Sequence, residues 1–114
     1  MRLRHTVATA VGALALVLAL PTSASAAAGN FTYVYTDPDG ARHTSGLIAP
    51  PSQECINLPG ATDEAVPPAD TPRNDTDATV TVFSDADCEG DYFTLRPNGG
   101  HASARLKLRS VAFS

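Results

Sequence analysis

The last third of the chain, residues 78–113, most limits the possible folds, because it consists of short runs in which apolar and polar residues alternate. Val80 and Val82 alternate in one run, and Leu106 and Leu108 alternate in a later one. Every second side chain of a strand points to the same face, so each run predicts a half-buried strand. Turn residues such as glycine and asparagine separate the runs. The pattern predicts an all-β sandwich or barrel.

The first 26 residues have the features of a secretory signal peptide. Two arginines precede an apolar run rich in alanine, leucine and valine, Pro21 ends that run, and a small-residue cleavage site follows at residues 24–26. The run is too short to favour a membrane-spanning helix. We therefore expect one mature domain, residues 27–114, that is secreted to the extracellular space and has no membrane segment.

The two cysteines, Cys55 and Cys88, both lie in the predicted mature part. In an oxidising compartment a single pair of this kind predicts one disulfide, whereas free thiols or a metal-binding pair are the alternatives. The bond would close a loop of about 33 residues and contribute roughly 3–4 kcal/mol in the chain-entropy model. That is a large share of the stability of so small a domain.

The charge of the chain argues against a nucleic-acid partner. Two of its eight basic residues lie in the predicted signal peptide, whereas all twelve acidic residues follow it. The mature part is thus more acidic than the formal net charge of −4 for the whole chain. Proteins that hold a phosphate backbone carry basic patches instead.

Residues 83–113 carry a motif. Phe83 is followed by acidic turn residues, then Gly90, a strand, and finally Ser110 in the last strand. This arrangement resembles one Greek-key motif of the βγ-crystallin family, with Cys88 where the family places its second aromatic residue. The resemblance implies an all-β, Greek-key, βγ-crystallin-like sandwich, with a clear key at 78–114 and a degenerate first half at 30–60.

The whole chain resembles small secreted βγ-crystallin-like proteins of actinobacteria, a group that includes metalloprotease inhibitors and killer-toxin-like proteins. The resemblance implies fold far more than activity. We expect a monomeric, non-enzymatic binding module without a cofactor, whose partner is a secreted protease or another extracellular protein. The alternatives are a structural or weakly calcium-binding protein and a killer-toxin-like protein.

The segment at residues 60–77 predicts a long loop, because it contains three prolines and Val66 is its one sizeable apolar residue. A restrained, exposed loop suits a protease inhibitor, since restraint lowers the entropic cost of binding. The prolines and the disulfide would supply that restraint. The candidate inhibitory residues are Pro68, Asp70, Pro72, Arg73 and Asn74.

Calcium binding is the alternative for the acidic turns, with Asn74, Asp75 and Asp85 as weak candidate ligands. The segment before the last strand carries basic residues where the calcium motif of the family has acids. No catalytic motif accompanies the two mature histidines, His43 and His101, which we expect on the surface.

Overall fold

The computed structural model describes residues 25–114. The predicted signal peptide, except for its last two residues, lies outside this part of the chain. Within the described residues, no helix has the length and apolar character needed to cross a membrane. The described part is all-β. Its strands are β1 (Gly29–Thr36), β2 (Arg42–Ile48), β3 (Cys55–Asn57), β4 (Asp70–Thr76), β5 (Val80–Phe83), β6 (Tyr92–Leu95), β7 (Gly100–His101) and β8 (Ser110–Phe113), with one 3-10 turn at Ala86–Cys88.

The strands form two antiparallel four-stranded sheets with the same connectivity. The first sheet has the order β2-β1-β4-β7, and the second has the order β3-β8-β5-β6. Each half of the chain therefore builds three strands of one sheet and places its third strand, β3 or β7, at the edge of the other sheet. This exchange joins the two halves into one unit, because neither sheet is complete without a strand from the other half.

The core lies between the two sheets and is built from the alternating residues of their inner faces. Phe31 of the first sheet meets Phe113 of the second edge to face, with ring centroids 5.6 Å apart. The phenol of Tyr33 is buried and donates a hydrogen bond to the carbonyl of Pro59. Val80 and Val82 are also buried, as their spacing predicts.

Strand β4 contradicts the prediction of a structureless loop at residues 60–77. Its side chains alternate between buried and exposed, and it pairs with β1 on one side and β7 on the other. Proline is excluded from regular central strands because it lacks an N–H donor. Pro72 is accommodated by a bulge, in which Thr71 and Pro72 lie opposite the single residue Tyr33. Thr71 has a positive φ of 52°, which sets the bend of this bulge.

The predicted disulfide is confirmed. Cys55 of β3 and Cys88 of the 3-10 turn are bonded, with an S–S distance of 2.07 Å and their Cα atoms 5.9 Å apart. The bond joins the strand that the first half lends to the second sheet with the turn between β5 and β6. It therefore crosslinks the two halves of the chain.

Candidate functional site

The structure does not bring the five candidate inhibitory residues together on one exposed loop. Asp70, Pro72 and Asn74 belong to β4 and are buried, because alternate positions of this strand face the core. Arg73 is exposed, but its Nε atom is bound to Asp75 at 2.8 Å. Pro68 precedes the strand and is half-buried. The prediction that these residues form one exposed loop is therefore wrong, since four of the five lie in the paired strand β4.

The remaining loop, residues 59–69, is fixed at both ends. Ala69 and Leu108 exchange two backbone hydrogen bonds of 2.9 Å each. The Arg109 guanidinium donates to the carbonyls of Ala61 and Asp63, at 3.0 and 2.8 Å. The exposed tip is a closed turn, because the N–H of Val66 donates to the carbonyl of Asp63. The tip of this loop is therefore a turn and not an extended segment.

Asp70 lies at the centre of a polar network that joins three segments. Its carboxylate accepts two hydrogen bonds from Arg42 and one from Thr71, and Lys107 Nζ lies 3.5 Å away. Burial alone would raise the pKa of Asp70, but these partners outweigh it, so the pKa of this carboxyl lies below its ordinary value. The network therefore links β2, β4 and the segment before β8.

The three candidate calcium ligands are not brought together, and two of them already have partners. The amide of Asn74 donates to the carbonyls of Ala78 and Arg96, at 2.7 and 3.1 Å, and its oxygen accepts two hydrogen bonds from Thr76. Asp75 is paired with Arg73, and Asp85 lies in the β5–β6 turn of the other sheet. In residues 25–114, no group of three histidine, cysteine or acidic side chains is arranged to hold a metal ion.

The histidines lie on the surface, as expected. His43 Nε2 lies 2.7 Å from a carboxylate oxygen of Asp37, and the ring packs beside Tyr35. The hydrogen bond with His43, followed by backbone bonds from Ala41 and Asp39, lowers the pKa of Asp37 below its ordinary value. A histidine–aspartate pair can activate a nucleophile, but no hydroxyl or thiol of the described residues is hydrogen-bonded to this ring.

One surface that the sequence analysis missed surrounds β6, the edge strand of the second sheet. Tyr92 is 72% exposed and Phe93 is 50% exposed, and they are two of the three large exposed apolar residues of the described chain. The sequence contains a signal for this exposure: adjacent side chains of a strand face opposite sides, so two consecutive aromatics cannot both enter one core. We name this region the β6 surface. It comprises Tyr92, Phe93, Arg96, Arg105, Leu106 and Lys107.

The β6 surface contains shallow depressions. Three adjoining concavities, of about 500, 250 and 300 Å³, share Phe93 as a lining residue. Leu106 and Arg105 line two of them, while Arg96 and His101 line the largest. Depressions that combine apolar and charged side chains are candidates for binding sites.

The chain matches no protein-family model, no curated protein and no solved structure.

Proposed function

We propose that this chain is a secreted, non-enzymatic binding module of the βγ-crystallin type, and that the β6 surface is where it binds. The repeated sheet order with an exchanged third strand supports the assignment to this type. Both sheets contain short strands whose side chains alternate between more and less buried positions, such as β4 and β5, and this also suits a Greek-key sandwich.

The turn between β5 and β6 gives further support. Ser110, which occupies the place of the late serine in the crystallin motif, accepts a hydrogen bond from the N–H of Cys88 at 2.8 Å. Its hydroxyl donates to the carbonyl of Asp85 at 2.6 Å. Gly90 has a φ of 85°, a conformation that favours glycine. These residues fold the turn back onto β8, and the aromatics of β6 follow directly after it.

The observation that carries a binding function is the pair of exposed aromatics beside basic side chains. A cluster of large exposed apolar side chains on a small domain is a candidate interaction site. In this chain they occur where Arg96 and Arg105 have no carboxylate within 4 Å among the described residues. Aromatic and arginine side chains are the types most enriched at binding hot spots.

Differential capture tests this proposal. The mature protein, its Phe93→Asp variant and its Ile48→Asp variant are immobilised and exposed to the spent culture medium of the producing organism. Ile48 is the matched control, because it is 82% exposed on β2, the edge strand of the other sheet. We expect a partner that the wild type and Ile48→Asp retain and that Phe93→Asp loses. Equal capture by all three proteins, each shown to be folded by its melting curve, would refute the β6 surface as the site.

A secreted protease is the first class of partner to assay, as the family resemblance implies. Trypsin-like, subtilisin-like and thermolysin-like enzymes are titrated with the mature protein and with the two variants. Inhibition that Phe93→Asp weakens at least tenfold would identify the module as an inhibitor that acts through the β6 surface. Inhibition that is the same for both variants would place the inhibitory contact elsewhere.

A further inference from the structure

We propose that the β6 surface binds an extended, acidic segment of another protein, which adds to the second sheet as a fifth strand beside β6. This inference rests on the proposed function and names the chemistry of its partner. It is carried by three features of β6: its free backbone groups, its apolar inner face and its basic surroundings.

The backbone of β6 has unused hydrogen-bonding groups along its outer side. In an antiparallel pair, alternate residues direct both their N–H and C=O groups toward the partner strand. The N–H of Ser84 donates to the carbonyl of Asp91, which sets this alternation. Phe93, opposite Val82, therefore bonds toward β5, whereas Tyr92 and Thr94 direct their groups away from it. An extended segment of a partner can pair with these groups, as in other cases of strand addition.

The apolar side of the site would receive alternate side chains of the added strand. Phe93 faces the same side of the sheet as Leu95, which is buried. Phe93 lies at the edge of the core and remains half exposed, and with Ala102 and Leu106 it lines a concavity of about 300 Å³. A side chain as large as valine or leucine on the added strand would cover Phe93 and remove apolar surface from water.

The basic side chains around β6 favour an acidic segment as the added strand. Arg96, Arg105 and Lys107 line the three concavities, and Asp91 is the one carboxylate among the residues that line them. Lys107 also lies 3.5 Å from Asp70, so the two arginines are the main cations of the site. Among the described residues, the guanidinium of Arg96 is bound only to the carbonyls of Pro97 and Asn98, at 3.4 Å. The chain as a whole is acidic, with a formal net charge of −4, so this concentration of cations is local. Opposite charges across a strand pair are favourable, and like charges are not.

A peptide titration tests the inference directly. The probe is a fluorescent nine-residue peptide in which glutamate and valine alternate, and its control has lysine in place of each glutamate. We expect the acidic peptide to bind at least tenfold more tightly than the basic one. Binding should weaken between 50 and 500 mM salt, because the cations are exposed and their charge is screened.

Two variants separate strand addition from simple charge attraction. Thr94→Pro removes an N–H that β5 does not use, and Thr44→Pro is its control on β2. Thr44 is a matched control because its backbone N–H and C=O also point away from the neighbouring strand, β1. The bond from the Ala49 N–H to the Gly29 carbonyl fixes which residues of β2 bond to β1, and Thr44 is not one of them. We expect Thr94→Pro to weaken peptide binding at least tenfold and Thr44→Pro to leave it unchanged. The double variant R96E/R105E should lose the acidic peptide and gain the basic one.

Three results would overturn the inference. The first is that neither peptide binds to protein that is folded by its melting curve. The second is binding that Thr94→Pro leaves unaffected, since charge attraction alone would then explain it, or binding that R96E/R105E leaves unaffected. The third is a wild-type dimer in sedimentation that Thr94→Pro disperses, since the occupant of β6 would then be a second copy. If the peptide fails but capture still depends on Phe93, the acidic strand is wrong and the binding function stands; if both fail, the binding function is wrong as well.

Discussion

The guanidinium of Arg42 on β2 holds the buried carboxylate of Asp70 on β4 with two hydrogen bonds, of 2.7 and 3.2 Å, across the intervening strand β1. The Asp70 side chain is 3% exposed, whereas that of Arg42 is 51% exposed. The contact connects an edge strand to the interior of its sheet. Lys107, in the segment before β8, also lies 3.5 Å from Asp70 and so links that segment to the same carboxylate. A carboxylate placed in this way is stabilising only while it is charged.

Asp70→Asn should destabilise the domain by about 1–3 kcal/mol at neutral pH, because hydrogen bonds to a charged partner are lost within a buried site. The native pKa of Asp70 lies below its ordinary value, so its contribution is fully present above the unfolded pKa of about 3.9 and is lost as the pH falls through the native pKa. Urea unfolding at pH 7 and below pH 4 measures both effects. The two proteins should differ at pH 7 and converge at the lowest pH.

Asp75→Asn is the control for this experiment, because Asp75 lies on the same strand and is paired with Arg73 at the surface. Exposed pairs contribute about 0–1 kcal/mol, so its effect should be small. A loss of stability that is equal in the two variants would contradict the role assigned to burial at Asp70.

Asn74→Asp separates a structural role from a calcium-binding one. The Asn74 amide donates to the carbonyls of Ala78 and Arg96, and a carboxylate there can donate nothing and repels both. We expect a loss of about 2–4 kcal/mol, within the range for buried groups left without a partner. Calcium at millimolar concentration should leave the melting temperature of both proteins unchanged. A calcium ligand would behave differently, since the extra charge would make stability depend on calcium. Asn30→Asp, at an exposed position of β1, is the control.

The burial pattern of β4 shows why this strand could not be predicted from the sequence. Alternation predicts β5 and β8 because their alternate residues are apolar, including Val80 and Val82. In β4 the buried positions are Asp70, Pro72, Asn74 and Thr76, so the alternation is present but is carried by polar side chains and one proline. Their burial depends on partners such as Arg42, which lies 28 residues away from Asp70. Local pattern contains no information about such partners.

The disulfide and the site differ in how far they could be predicted. One pair of cysteines in a predicted secreted domain leaves a single intramolecular pairing, so the Cys55–Cys88 bond follows from composition and compartment. The β6 surface does not follow in this way. Phe93 is half exposed because β6 is an edge strand, and the edge position depends on the exchange of β3 and β7 between the sheets.

Reduction of the Cys55–Cys88 bond should lower the stability by roughly 3–4 kcal/mol, because the unfolded chain regains the entropy of a loop of 33 residues. For a domain of this size, that corresponds to a fall in melting temperature of roughly 12–30 °C. Calorimetry with and without reductant measures the shift, and the C55A/C88A variant, which should melt near the reduced protein, is the control for incomplete reduction. A shift of only a few degrees would mean that the Ser110 hydrogen bonds hold the turn without the crosslink.

Gly90→Ala should destabilise the β5–β6 turn more than Gly40→Ala destabilises the β1–β2 turn. The two glycines have nearly the same backbone conformation, with φ of 85° and 87°, so the strain of a positive φ is common to both substitutions. A Cβ atom at Gly90 would lie closer than 3 Å to the side chains of Ser84 and Asp85, whereas a Cβ atom at Gly40 meets no atom within 4 Å. We expect the free energy of unfolding, measured by chemical denaturation, to fall by about 1 kcal/mol in Gly40→Ala and by at least about 2 kcal/mol in Gly90→Ala.

Because Asp91 and β6 follow this turn, Gly90→Ala should also weaken binding at the β6 surface, whereas Gly40→Ala should not. Equal losses of stability in the two variants would show that backbone conformation alone sets the loss. The side chains packed around Gly90 would then move aside without a measurable change in the free energy of unfolding.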